Sequence, residues 1–335
     1  MWKSAAATTA PSGRERRQVA GEGLQSSCRG LACRIPLHAR AHYEEQLPGR
    51  PEHCSRRNLA REVDPLIVMH HILAITNQKG GVGKTTTSVN LAASLAATKR
   101  RVLLIDIDPQ GNATMGCGVD KRSIERSTTD VLLGECSAEA ALLPLEYAEF
   151  RLMPANQDLV AAEVELMGKA GCELRLRDAL VPIQDQFDII LIDCPPALNM
   201  LTVNALVAAD GVLIPMQCEY YALEGLTALV DTIEQIKAGP NPRLEIGGIL
   251  RTMFDPRNNL ANEVSAQLIE HFRDKVFRTI IPRNVRLAEA PSHGKPALHY
   301  DRESRGALAY LALAGEMIRR DEGDYELAPA DAVGT

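Results

Sequence analysis

One eight-residue stretch, Lys79-Gly80-Gly81-Val82-Gly83-Lys84-Thr85-Thr86, constrains this chain more than any other. It lies between a short aliphatic run at 72–76 and a stretch at 85–98 that reads as a helix, with Val89, Ala92, Leu95 and Ala96 on one face. Glycines at these positions let backbone N–H groups curl around a phosphate with no Cβ in the way. A helix starting at Lys84 would aim its positive end at the same anion. In a strand–loop–helix setting this is a nucleotide-binding P-loop. It assigns Lys84 to the β- and γ-phosphates of ATP and the Thr85 hydroxyl to Mg²⁺.

Further aliphatic runs follow at 102–107, 187–192, 211–216, 246–253 and 276–281, with helical stretches at 201–209, 223–236, 262–272 and 306–319. Strands alternating with helices predict right-handed crossovers and an α/β, doubly wound, mainly parallel sheet flanked by helices. The composition agrees: 45% hydrophobic but only 4% aromatic, so the core is built from Ala, Val, Leu and Ile. Two of the runs end in carboxylates, the first in Asp106 and Asp108, the second in Asp193. Ligands of open α/β sheets bind at the carboxyl ends of the strands. An Asp there, facing a P-loop, is the usual partner of the Mg²⁺–water system.

Residues 1–68 have no sustained apolar period, and the expectation is a poorly structured leader or a start placed too far upstream, with Met69 just ahead of the first strand. One ATPase domain is expected at 69–320 and an acidic, frayed tail at 321–335. The net charge of −6 is uneven. Residues 1–64 hold 11 Lys and Arg against 7 Asp and Glu, whereas the other 271 hold 26 against 36. An acidic body excludes a protein coated in positive charge for nucleic acid, leaving room for a local patch. Eight cysteines without C-x-x-C spacing fit reduced thiols, and neither a membrane-spanning run nor a signal peptide is legible. Cys194 reads as a packed core thiol and Tyr220-Tyr221 as packing.

The double-lysine loop, IDIDPQGNAT at 105–114, IDCPP at 192–196, QCEYYALEGL at 217–226 and IPRNVRLAEAPSHGKP at 281–296 together resemble the deviant Walker A ATPases of the ParA/Soj type, over residues 72–320. That resemblance implies roles residue by residue. Lys79 matches the signature lysine that crosses an ATP-sandwich homodimer to the partner's phosphates, and Gly80 sits at the same seam. Asp108 matches the residue that positions the attacking water, with Asp106 supporting that strand end. Asp193 matches the carboxylate that acts on Mg²⁺ through water. Pro282 and Asn284 fall in the loop that lies against adenine. Arg257 and Arg286 match arginines that carry nonspecific binding to double-stranded DNA, with Arg251, Arg283 and Lys295 nearby. The partners implied are a second copy, duplex DNA and a ParB-type centromere-binding protein, and the place is the cytoplasm at the nucleoid. A MinD-like membrane-positioning ATPase is the alternative, disfavoured by the acidic end Asp321-Glu322-Gly323-Asp324.

Overall fold

The computed structural model describes residues 72–323. The expected leader and the part of the expected tail beyond 323 lie outside the described residues. In chain order the elements are β1 (Ile72–Ile75), α1 (Lys84–Ala97), β2 (Val102–Asp106), α2 (Asn112–Gly116), α3 (Thr128–Leu133), β3 (Leu143–Pro144) and β4 (Arg151–Met153). They continue with α4 (Leu159–Leu166), α5 (Arg175–Leu180), β5 (Ile189–Asp193), α6 (Met200–Ala208), β6 (Gly211–Gln217) and α7 (Ala222–Lys237). The last are β7 (Glu245–Phe254), α8 (Asn259–Phe272), β8 (Val276–Pro282), α9 (Val285–Glu289), α10 (Ala297–Tyr300) and α11 (Arg305–Asp321).

Among the described residues the strands form one eight-stranded sheet in the order β3-β4-β2-β5-β1-β6-β7-β8. Every pairing is parallel except β3 with β4, so the expected doubly wound sheet is present with one antiparallel edge. β1 is central, between β5 and β6. The chain leaves β1 towards β2 on one side and later, through α6, reaches β6 on the other. That change of direction makes the crevice at the carboxyl end of β1 the natural ligand position.

The two-residue period of the strands divides the core into two layers. Leu103 and Ile105 of β2 join Ile190 and Ile192 of β5 beneath α6 and α7. Val102 and Leu104 join Ile189 and Leu191 on the opposite face, against α1 and α11. Both faces are covered, so the strands read as unbroken aliphatic runs. α1 departs from the one-faced helix expected of it, since every residue from Thr87 to Ala96 is buried. It lies between the sheet and α11, where the Thr87 hydroxyl meets the Tyr310 hydroxyl at 3.1 Å.

Candidate nucleotide site

The loop between β1 and α1 is held from both flanks. Asn77, buried at the end of β1, donates through Nδ2 to the Pro215 carbonyl at 2.9 Å, and its Oδ1 accepts from the Lys79 amide at 2.9 Å. Thr252 of β7 donates its hydroxyl proton to the Val82 carbonyl at 2.7 Å. Gly81 and Gly83 take the left-handed conformation, with φ of 75° and 89°, which a side chain would strain. A Cβ at Gly80 or Gly81 would meet nothing within 4 Å, so the loop at these exposed glycines borders open space. Lys84, buried at the first position of α1, points its Nζ to the Lys79 carbonyl at 3.3 Å. An open glycine cradle, a helix N-terminus and a buried ammonium form a donor set that fits a polyphosphate.

The carboxylates gather at the ends of neighbouring strands. Asp106 and Asp193 are register partners on β2 and β5, and both are fully buried. Asp193 accepts from the Thr85 hydroxyl at 2.8 Å and from the Ser88 hydroxyl at 2.7 Å. Asp106 accepts from the Thr114 amide and hydroxyl, both at 2.8 Å, and from the Asp108 amide at 3.1 Å. Burial raises the proton affinity of both carboxyls, and neighbouring charge adds to it, from Asp108 at Asp106 and from Asp106 and Asp108 at Asp193. Burial lowers the pKa of Lys84, with Asp193 acting in the opposite sense. Asp108 is buried at the start of the turn into α2, and its Oδ1 accepts from the Gln110 amide at 2.9 Å. Thr85 with Asp193 is a hydroxyl–carboxylate pair of the oxygen type that suits Mg²⁺.

Lys79 stands apart from this cluster. Its side chain is half exposed and forms an ion pair with Glu219 after β6, whereas Lys84 is the lysine turned into the loop. Beside Glu219, Tyr220 and Tyr221 are 75% and 70% exposed, their rings 5.0 Å apart edge to face. This corrects the packing expected of them. They sit on the turn that opens α7, whose first inward residue is Ala222.

The remaining expected residues occupy the sheet's β7–β8 side. Pro282 ends β8 opposite Phe254, and Asn284 caps α9 by accepting from the Arg286 amide at 3.0 Å. Arg257 lies exposed on the turn before α8, bound to Asp255 at 2.8 Å. Arg286 lies exposed on α9, bound to Glu289 at 2.8 Å and Asp301 at 3.1 Å. Arg251 cannot extend a surface patch, because it is buried and donates to the Ser265 hydroxyl and the carbonyls of Phe277 and Arg278. Lys295 lies over the Tyr147 ring, 4.4 Å from its centre. Ser88, Thr114, Glu219 and Thr252 escaped the sequence reading. Ser88 alone carried a signal, standing four residues after Lys84 on the same helical face.

The family model described as an AAA domain (AAA_31) matches residues 70–246. The chromosome partitioning protein ParA of Myxococcus xanthus is 53% identical over 250 residues, which span 75% of this chain and 88% of that protein. The sporulation initiation inhibitor protein Soj of Bacillus subtilis is 51% identical over 249 residues, 74% of this chain and 98% of that one. Among solved structures, cobyrinic acid a,c-diamide synthase from Mycobacterium smegmatis with a bound ATP analogue and magnesium superposes with a TM-score of 0.67. It is 36% identical and covers 77% of this chain and 98% of its own. With a domain match over more than half its length and relatives above half identity, the chain belongs to the ParA/Soj family of chromosome-partitioning ATPases.

Proposed function

We propose that this ATPase is a nucleotide-gated DNA switch. ATP brings two copies together face to face, the dimer binds duplex DNA without regard to sequence, and a ParB-type partner stimulates hydrolysis and release. The observation that carries this reading is the division of labour between the two lysines of the loop. Lys84 serves its own cradle, while Lys79 points out of it and is held by Glu219 at the surface. A lysine so placed is available to a second copy's phosphates, which makes turnover depend on assembly.

Within one copy, the loop amides from Gly80 to Thr86 bind the phosphates and Lys84 neutralises the β- and γ-oxygens. Thr85 and, through water, Asp193 would hold Mg²⁺, which when bound balances the charge shared by the β- and γ-phosphates. Asp108 orients a water in line with the γ-phosphorus, whose bond to the β–γ bridging oxygen breaks as the water oxygen adds. Positioning and charge neutralisation supply most of the acceleration of such a transfer. Pro282 and Asn284 are assigned to the adenine side, where the Asn284 cap fixes the loop.

Arg257 and Arg286 are the assigned DNA contacts, each now shared with local carboxylates. Phosphates must displace those partners, so binding is expected to fall steeply with salt. The Myxococcus xanthus relative at 53% identity is a chromosome partitioning protein, which gives the membrane-positioning alternative less support. Among the described residues no helix is long and apolar enough to cross a membrane. The test is binding to a random-sequence duplex with ATP, with ADP and without nucleotide, at two salt concentrations. Asp108→Ala is included to hold the ATP state. Binding with ATP alone, lost at higher salt and with Arg286→Ala, supports the switch, and binding indifferent to nucleotide refutes it.

A further inference from the structure

Helix α4 is apolar on two faces. Leu159, Ala162 and Leu166 are buried in the core. Val160, Val164 and Met167, spaced as one stripe along the other face, are 57%, 65% and 58% exposed. Leu198 adds a fourth exposed apolar side chain, on the loop fastened to α4 by the hydrogen bond from Asn199 to Glu163 at 2.9 Å. Just past Met167 the chain enters the wall of a cavity of about 430 Å³, lined on that side by Ala170, Gly171 and Leu174. Its other walls are α3, α5 and the turn after α5, through Val131, Ala179 and Ile183. A solvated two-turn stripe leading to a largely apolar cavity is a surface that gains from being covered.

The charge around it identifies what covers it. Along α3, α4, α5 and the segments that join them to the cavity, residues 130–139 and 158–185 contain nine Asp and Glu but three Lys and Arg, although the whole chain's net charge is only −6. Lys169 and Arg177 are paired with Glu165 and Asp178. Glu139, on the cavity wall, and Glu163, on α4, accept instead from the neutral amides of Gln186 and Asn199. Among the described residues, Arg175 is the one cation that lines the cavity itself. Such a face repels nucleic acid and anionic lipid. A two-fold contact with a second copy would set acid against acid. We propose that α4 and the adjoining cavity dock a basic, amphipathic helical segment of a protein partner, its apolar side on Val160, Val164 and Met167 and one bulky side chain in the cavity. The proposal stands whether or not the nucleotide switch does.

The probe is a fluorescein-labelled fourteen-residue Leu–Lys amphipathic helix, with a scrambled version and a Glu-for-Lys version as controls. It is titrated into the full-length protein and into a Val164→Gln/Met167→Gln variant, whose exposed positions leave the fold intact. Cys136, which also lines the cavity, gives a second readout through its alkylation rate followed by peptide mass mapping. The expected result is binding of the Leu–Lys helix alone, weakened about tenfold or more in the variant, with Cys136 protected at saturation. Equal binding of the scrambled peptide, equal binding to the variant, or an unprotected Cys136 would overturn the proposal. So would self-association of the parent protein that the variant abolishes, because the stripe would then be an interface between copies.

Discussion

Two serines on one face-to-face buried helix should respond in opposite ways to the same substitution. Ser88 and Ser94 both lie on α1, and both are essentially inaccessible. Ser88 donates to Asp193 at 2.7 Å and also lies 3.0 Å from the Lys84 carbonyl. Among the described residues, the Ser94 hydroxyl has no partner. Ser88→Ala removes one of the two hydroxyls that hold a fully buried carboxyl, Thr85 being the other. A hydrogen bond to a charged group contributes about 1.5–3 kcal/mol. At about 2–4 °C per kcal/mol for a domain of this size, the loss is roughly 3–12 °C in Tm. Ser94→Ala removes an unsatisfied polar group and gains about 0.5 kcal/mol of helix propensity, so Tm should hold or rise.

Thermal unfolding by circular dichroism, without nucleotide and then with Mg²⁺ and a non-hydrolysable ATP analogue, separates the two variants. Ser88→Ala should also gain less from the ligands, because Asp193 then relies on Thr85, the hydroxyl assigned to the metal. Equal losses for both variants would refute the reasoning, and so would a Ser88→Ala protein with unchanged Tm and unchanged ligand response.

Three further outcomes are expected. Glu219→Gln releases Lys79 from an ion pair open to solvent, so stability should change by less than about 1 kcal/mol. Sedimentation should show ATP-dependent dimers at lower ATP than the parent needs. Gly306→Ala places a Cβ 2.5 Å from Leu287 Cγ. The overpacking costs about 1–3 kcal/mol and outweighs a helix gain of about 1, so Tm should fall, and Leu287→Ala in the same chain should relieve part of the clash. Burial works against the charge of Glu316, but the Thr279 and Arg278 amides at 2.8 Å and the Arg320 guanidinium outweigh it and hold the pKa below the usual carboxylate value. Its contribution is therefore complete above about pH 4.3 and lost as pH falls through the lower folded-state pKa. Glu316→Gln should cost about 1.5–3 kcal/mol at neutral pH and converge with the parent in acid unfolding curves.

The sheet's centre was legible because β1, β2, β5 and β6 are long enough to show unbroken aliphatic runs between turn signals. Its edge was not. β3 and β4 are two and three residues long, and Leu152 and Met153 are buried by packing that no period of such length can announce. The short helices α2, α9 and α10 owe their existence to docking: the Ala297 amide that opens α10 donates to Asn90 Oδ1 on α1. Local motifs placed Lys84, Thr85, Asp108 and Asp193 near one loop. Contacts across the fold stayed invisible, because Thr252 reaches Val82 across 170 residues and Glu219 reaches Lys79 across 140. Tyr220-Tyr221 misled because two aromatics next to an apolar helix look like core, and only the turn into α7 turns both outwards. Cys194, in contrast, is buried at the end of a sheet strand as expected, its thiol pushed up by burial.

The three carboxylates look equivalent in the sequence, and their donors separate them. Asp106 receives two backbone amides and a hydroxyl, and Thr114 also accepts the Ala155 amide through that hydroxyl. Amides cannot turn away, so Asp106 is fixed as the hub that folds residues 108–114 into place. Asp193 receives two hydroxyls and no side-chain amide, and hydroxyl protons rotate. It can therefore exchange partners without moving the backbone, as a carboxylate must when Thr85 turns to a cation. Asp108 engages the Gln110 amide through Oδ1, and among the described residues no protein donor meets its Oδ2. A carboxylate held at one oxygen and free at the other is positioned and still able to accept from water. One hub, one exchangeable carboxyl and one poised acceptor follow from which atoms donate to each. That division gives Asp108 and Asp193, and not Asp106, the freedom that the roles proposed for them in phosphoryl transfer would ask of a side chain.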